Sequence, residues 1–421
     1  MGFPGWAGWW AGRACDDGSV ALVSVDDVDR ARTLLDGVVR RTPLEGSRVL
    51  GERVGGPVLL KCENLQRTGS FKVRGAYVRI SRLSAAERAR GVVAASAGNH
   101  AQGVALAARL VGTSATVCMP RVSSLPKIEA TKGYGASVTL VGDTMDEALL
   151  AAREHAAEYG AVLIHPFDHP DVIAGQGTVG LEILEQCPDV RTVVVAIGGG
   201  GLVSGIAAAV KATKPDVRIV GVQAEGAATY PSSLAAGHPV RLAKLATMAD
   251  GIAIGCPGDL TFAHVRALVD QVVTVGEEEL ARALLFCLER TKLMVEPAGA
   301  ASVAAVRAEP RRFEPPVVAV LSGGNIDPLL LLKVIQRGMA AGGRYLSFQL
   351  RIPDRPGELA RLLVLLAEHG ANLLDVEHSR TGPRLHLGEV EVRLSVETRG
   401  EAHCDELFAA LRDAGHILVF G

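Results

Sequence analysis

The segment Thr192-Val-Val-Val-Ala-Ile197 runs straight into Gly198, Gly199, Gly200 and Gly201, and then into a helical stretch over 203–213. An apolar, β-branched run of this kind reads as a strand buried on both faces. Four glycines let the backbone turn sharply and approach whatever lies above the strand end. The same grammar recurs along the chain. Strand-like runs over 58–62, 92–95, 115–119, 137–141, 162–165, 218–223 and 317–321 alternate with helical stretches. Those helices are expected over 85–90, 102–110, 126–132, 145–159, 179–186, 277–291 and 297–307. An earlier helix over 26–35 has Ser24 as its cap and Asp26 and Asp27 in its first turn. Alternation of this kind predicts an α/β fold, with parallel sheets covered by helices on both faces.

With 421 residues, 48% of them hydrophobic, the chain can bury a large core and form about three structural units. The net charge is −2 and no Lys/Arg block stands out, which argues against nucleic acid as a partner. No apolar run approaches the ~20 residues that span a bilayer, so no membrane segment is expected. The seven cysteines are scattered, without Cys-x-x-Cys pairs. That pattern predicts reduced thiols and a cytoplasmic setting. Residues 1–19 hold all three tryptophans but lack the basic start and continuous apolar stretch of a signal peptide. Residues 1–23 are therefore read as a flexible extension.

Three further segments carry chemistry. Lys72 lies in Asn64-Leu-Gln-Arg-Thr-Gly-Ser-Phe-Lys-Val-Arg-Gly-Ala76, after a Gly-Ser-Phe turn and before a helix-forming stretch. A lysine amine forms Schiff bases with carbonyl compounds, and burial can make it a base. Its neighbours are expected to sit against a flat ring and a phosphate. Next, Ser96-Ala-Gly-Asn-His-Ala-Gln-Gly103 follows the strand at 92–95 and opens a helix. Free N–H groups at such a helix start make an anion site suited to a substrate carboxylate. Finally, Ser322-Gly-Gly-Asn325 ends the strand at 317–321. The tetraglycine turn itself is neither a Walker loop, since no Gly-Lys-Ser/Thr follows, nor a full dinucleotide fingerprint, since the expected acidic residue is missing. It retains the physics of a phosphate-binding turn.

These four segments, in their chain order from Asn64 to Asn325, resemble the threonine/serine dehydratase family of pyridoxal-phosphate enzymes, fold type II (tryptophan-synthase-β-like). The resemblance runs from about Val25 to the chain end. It implies a two-subdomain catalytic unit with pyridoxal 5'-phosphate between the layers. Lys72 would be the catalytic residue and the covalent anchor. Phe71, Lys72, Asn99, Gly198, Gly199, Gly200, Gly201, Leu202 and Ser322 would bind the cofactor, and Ser96, Ala97, Gly98, Asn99 and His100 the substrate. In the family the serine matching Ser322 faces the pyridine nitrogen. A hydroxyl does not enforce a protonated ring, which favours prompt β-elimination. No Asp or Glu in the four motifs serves as acid for the leaving hydroxyl. In the family the cofactor phosphate protonates it.

The implied reaction removes water and ammonia from a β-hydroxy amino acid. L-Threonine gives 2-oxobutanoate, the precursor of isoleucine, and L-serine gives pyruvate. Serine racemases share the scaffold but carry a serine where Ala97 stands here, and Ala97 cannot transfer a proton. A catalytically inactive amino-acid sensor is the reading from another class, and the intact motif set speaks against it. Glu225 matches the first ligand of a cation site in relatives, although 230–232 lacks the second carboxylate, and hard cations need several oxygens. Glu296 is expected to be structural, and His165 and His169 to pack a loop.

The pattern changes after a glycine-marked linker at 338–344. A strand over 345–352, a helix over 359–369, strands over 372–379 and 384–397, a helix over 404–414 and a strand over 417–420 make β-α-β-β-α-β. That is a ferredoxin-like unit. With its Arg-Pro-Gly-Glu-Leu and Gly-Ala-Asn-Leu segments it resembles an ACT domain, which implies an amino-acid effector; a dimerisation module without ligand stays open. The expected layout is a catalytic domain over 24–337, a linker over 338–344 and the ACT domain over 345–421. Leu359, Leu362, Leu363 and Leu366 form an apolar helix face that could pair with a second copy, in a homodimer or homotetramer.

Overall fold

The computed structural model describes residues 21–380 and 385–419. The Trp-rich segment over 1–19 lies outside the described residues, as do the outer ends of the strands expected at 384–397 and 417–420. The chain divides into two compact units at Leu331/Leu332.

The strands of the first unit are β1 (Leu44–Gly46), β2 (Val58–Lys61), β3 (Val92–Ala95), β4 (Ala115–Met119), β5 (Ser137–Leu140), β6 (Val162–Leu163), β7 (Thr192–Ala196), β8 (Arg218–Ala224), β9 (Gln271–Val275) and β10 (Val317–Val320). They form two sheets, ordered β1-β2-β10-β7-β8-β9 and β5-β4-β3-β6. All pairings are parallel except that of β1 with β2. The larger sheet explains the uninterrupted apolar runs: every residue of β7 and β10 is buried, because helices cover both faces. Carboxyl ends of strands in open α/β sheets are where ligands bind. All four motifs leave such ends, from β2, β3, β7 and β10.

Several elements differ from expectation. The helix expected at 179–186 begins already at Pro170, with His169 as its N-cap accepting from the Asp171 N–H. Proline at the first helical position is pre-set for a helix and needs no N–H partner. The helix expected over 277–291 is regular only to Phe286; a wider turn spans Cys287–Thr291 and ends at Lys292 with φ 60°. Val23, assigned to the extension, is buried, and its N–H donates to His264 Nε2 at 2.8 Å. The body of the unit therefore starts before residue 24.

In the second unit, β11 (Tyr345–Pro353), β12 (Asn372–Ser379), β13 (Glu389–Glu397) and β14 (Ile417–Val419) form an antiparallel sheet ordered β12-β13-β11-β14. The helices Glu358–Glu368 and Glu401–Asp413 complete the β-α-β-β-α-β order. Two expectations need correction here. The linker at 338–344 is helical at its start, since one helix runs Pro328–Ala341 with Gly338 buried inside it. Glycine costs a helix only about 1 kcal/mol, too little to end one that has packing to gain. The face of Leu359, Leu362, Leu363 and Leu366 is not free for a second copy. Leu362 and Leu366 are buried in the unit's own core, with Leu359 and Leu363 packed against it. The helix covers its own sheet with that stripe, as an amphipathic helix in a two-layer fold must.

Candidate active site

Lys72 is the first residue of the helix Lys72–Ser81. The chain reaches it from β2 through two short turns, with Thr68 at φ 64° and Gly69 at φ 69°. This approach is stitched to the segment after β10. Asn64 N–H donates to Leu321 O (2.9 Å), Phe71 N–H to Ser322 O (3.3 Å) and Gly324 N–H to Gly69 O (2.9 Å). Asn325 Nδ2 reaches Thr68 O at 2.5 Å and Asn99 Oδ1 at 2.8 Å. Residues 64, 72, 99 and 322–325, distant in sequence, therefore meet in one place.

That place is a cavity of about 500 Å³ between the two parallel sheets. Phe71, Lys72, Ser96, Ala97, Gly98, Asn99, His100, the four glycines 198–201, Leu202 and Ser322 all line it. The Lys72 amine donates to Pro166 O at 2.9 Å and lies 5.1 Å from the centre of the Phe71 ring. The side chain opens only to the cavity and is otherwise wrapped by protein. This desolvation pushes its amine down to about 8, against a weaker opposing pull from Glu296. An amine in that range is partly neutral near pH 8 and can act as a base.

At the far wall the glycines lead from β7 into the helix Gly201–Thr213, with Gly200 as N-cap at φ 98°. A Cβ on Gly199 would fall 2.3 Å from the Phe167 ring, and one on Gly200 would fall 2.1 Å from Tyr230 Oη. Tyr230 also donates to Gly199 O at 3.1 Å. Phe167 and Tyr230 thus press the turn into shape from outside. Unbonded N–H groups at a helix start, in a turn without side chains, make an anion cradle.

The sequence matches two family models. One, described as pyridoxal-phosphate dependent enzyme, covers residues 35–323, and an ACT domain model covers 347–413. The chain belongs to the pyridoxal-phosphate dependent enzymes and ends in an ACT domain. It is 48% identical over 395 residues to the L-threonine ammonia-lyase of Thermotoga maritima, an alignment that takes in 94% of this chain and 98% of that protein. Both domains are therefore shared in one order. Among solved structures, the processed threonine deaminase isoform 2 of Solanum lycopersicum superposes with a TM-score of 0.72 at 38% identity, covering 75% of this chain and 87% of that one. Maize serine racemase gives 0.71 at 36%, covering 76% and 99%. So near a tie means that fold alone does not separate lyase from racemase.

The cavity fits pyridoxal 5'-phosphate. A nucleophilic amine with a lowered proton affinity stands at one wall for the aldehyde, the glycine cradle at another suits the phosphate, and Asn99 and Ser322 offer polar groups between them. The substrate loop is less uniform. Ser96 Oγ accepts from Gly98 N–H at 3.2 Å, which bends the loop into the helix Asn99–Val111. His100 is buried, with Nε2 2.9 Å from Ile164 O. Burial and the neighbouring Lys72 charge push it down to about 3, so it is neutral and anchors the loop. His165 accepts from the Asp168 N–H at 2.7 Å, and His169 caps its helix, both inside the turn they shape.

One residue falls elsewhere than its motif suggested, and Glu225 stands at the strand end where its motif puts it. Arg74, beside Lys72, faces away from any phosphate and is buried behind the site against Glu63 and Glu182. Glu225 is exposed in the turn after β8, and among the described residues no three His, Cys, Asp or Glu side chains gather as a metal cluster. Glu296 was missed as a site residue. It lines the cavity, buried, and accepts from Asn99 Nδ2 at 2.5 Å. Its segment Val-Glu-Pro-Ala-Gly-Ala announced a helix start, which the structure has at Pro297, but nothing in it announced Asn99.

Proposed function

We infer that this protein is a pyridoxal-phosphate dependent L-threonine ammonia-lyase whose activity is regulated through its ACT domain. The observation that carries this is the near end-to-end match to a threonine ammonia-lyase, both domains included, with a lysine amine at the heart of the cavity. The bound cofactor supplies the electron sink that makes loss of an α-proton and a β-hydroxyl feasible. Lys72 would hold it covalently and the glycine cradle would hold its phosphate. The residues do the rest. The Lys72 amine, set free when the substrate's amino group takes its place, takes the proton from Cα. The N–H groups at the start of the helix Asn99–Val111 orient the substrate carboxylate. Loss of water and hydrolysis of the released enamine then give 2-oxobutanoate and ammonia. L-Serine is a second substrate in this reading, giving pyruvate.

The described cysteines are all free thiols, which supports a reducing, cytoplasmic setting, and among the described residues no helix is long and apolar enough to cross a membrane. We place the working form as a homodimer or homotetramer. The effector is a branched-chain amino acid. Its carboxylate would sit at the start of the helix Glu358–Glu368, where Gly357 is the N-cap at φ 90°. The test is release of 2-oxo acid from L-threonine and L-serine, with and without isoleucine, valine and AMP. Regulation is expected to change affinity by roughly 5- to 150-fold, the usual size of a coupling between sites. Truncation after Gly343 is expected to leave activity that no amino acid alters. No response to any of the twenty amino acids in the full chain would make the ACT domain structural.

Racemisation is the second reading, favoured by the close match to serine racemase. It needs a proton carrier on the other side of the substrate from Lys72. Ala97 lines the cavity and has nothing to transfer. Ala97→Ser is expected to raise the D-serine recovered per turnover by chiral chromatography. A yield equal to wild type would mean that geometry, not the missing hydroxyl, sets the outcome.

A further inference from the structure

Glu296 is a buried carboxylate in the cavity wall to which the mechanism above gives no task. Its surroundings are specific. Oε1 accepts from Asn99 Nδ2 at 2.5 Å, while Asn99 Oδ1 accepts from Asn325 Nδ2 at 2.8 Å. Asn325 is itself held by Thr68 O. The Glu296 backbone N–H donates to Gly323 O at 3.1 Å, which fixes the segment carrying the carboxylate. Room for it depends on Gly323, where a Cβ would fall 2.2 Å from Glu296 Oε1. An amide group has two N–H donors and one acceptor oxygen. With the oxygen and one N–H engaged, neither a flip nor a rotation of Asn99 is free, and its second N–H is left to the cavity it lines.

We propose that Glu296 is a positioning residue, which clamps the Asn99 amide so that its remaining N–H is presented to the cofactor. The proposal rests on the pyridoxal-phosphate reading above. A charged acceptor holds an N–H about twice as strongly as a neutral one. The clamp is therefore strongest when Glu296 is ionised. Burial, and then the Asp250 charge, push its carboxyl up to about 7; Asn99, Lys127 and Lys72 pull the other way. Asp250, Lys127 and Lys72 are the charged groups facing it, from the turn Asp250–Ile252 and the helices Leu125–Gly133 and Lys72–Ser81. Ionisation of Glu296 thus falls inside the working range. The polar environment at Asn99 changes with it, and so does the absorption of the bound cofactor.

The experiment reads the absorption spectrum of the cofactor-loaded protein from pH 5.5 to 9, and cofactor affinity by titration of the cofactor-free protein. Wild type is expected to show a spectral step within that range, as Glu296 ionises. Glu296→Gln keeps an acceptor but cannot ionise. It is expected to bind cofactor within about 3-fold of wild type and to lose the step. Glu296→Ala is expected to weaken cofactor affinity by roughly 10-fold, the scale of one lost charged hydrogen bond. A merely structural carboxylate would leave the spectral profile unmoved in the Gln variant, and that result overturns the proposal, as does a wild type without the step. If Glu296→Ala does not fold by circular dichroism, Glu296→Gln decides alone. A wild type that loads no cofactor on Lys72 overturns the parent reading and this proposal with it. Normal loading with an unchanged Gln profile overturns only the clamp.

Discussion

Lys72→Ala is expected to give a folded protein that carries no covalent cofactor and has lost turnover by roughly 10³-fold or more. A positioned acid or base contributes about 10²- to 10⁴-fold, and here the same side chain is also the covalent anchor. The competing amines are placed so that the result is decisive. Lys61 is buried, but its amine is bound to Glu182 at 2.5 Å, Gln186 at 2.8 Å and Thr42 O at 2.8 Å, and it does not line the cavity. Lys127 and Lys244 do line it, yet Lys127 is paired with Asp250 at 2.7 Å and Lys244 is exposed. Borohydride reduction followed by peptide mass mapping should find the cofactor on Lys72 alone in wild type. Label on Lys127 or Lys244 would sink the assignment. The pH profile follows from the same amine. Burial lowers it to about 8, so the neutral fraction in the cofactor-free protein rises as pH climbs through that value. Reaction of that protein with an aldehyde should quicken over the same interval and level off above it.

The chemistry of this site was legible because it is local. A parallel strand ends, the chain turns through small residues, and a helix begins. Each such unit prints its own signature on ten or so consecutive residues, and four signatures name one cavity. The strand pattern was legible for the same reason, since β7 and β10 are covered on both faces and so are apolar throughout. What escaped depends on partners far away in the chain. Glu296 meets Asn99 across 197 positions, and its helix-start segment reads the same wherever the carboxylate points. The leucines of Glu358–Glu368 had the right period for burial, but period does not say whether the cover is a second copy or the unit's own sheet. Gly338 looked like punctuation and is the inside of a helix. β9, Gln-Val-Val-Thr-Val, was passed over because it is an edge strand with only two of its residues buried.

Arg74 shows the same lesson with the largest energetic consequence. It stands two residues from the catalytic amine, in a motif that suggested a phosphate, and the fold turns it inward. Its guanidinium holds Glu63 through two bonds of 2.9 and 2.8 Å and Glu182 through one of 2.7 Å. Lys61 closes the set on Glu182, so two cations face two carboxylates in a region where Arg74, Glu63 and Lys61 have no exposed side-chain surface. Burial, the largest single influence, would raise the Glu63 carboxyl, but the Arg74 charge and hydrogen bonds, with Lys61 and Thr42, together outweigh it and hold Glu63 below its ordinary value. Arg74→Met would remove that hold and leave a buried carboxylate short of a partner. The expected cost is about 3–5 kcal/mol, the range for breaking a buried ion pair on one side. For a unit of this size that is a fall in Tm on the order of 10 °C. The pH dependence gives the sign. In wild type the depressed Glu63 contributes stability that is present above its unfolded value and lost as pH falls through its folded one. In Arg74→Met the balance reverses: burial dominates, the folded value rises, and protonation relieves the variant. The gap between the two proteins should narrow as pH is lowered from 8 to 5. Adding Glu63→Gln should recover part of the loss at pH 8, because replacing both partners of a buried pair costs less than removing one. A gap that stays constant or widens toward pH 5 would mean that Arg74 acts through packing rather than charge.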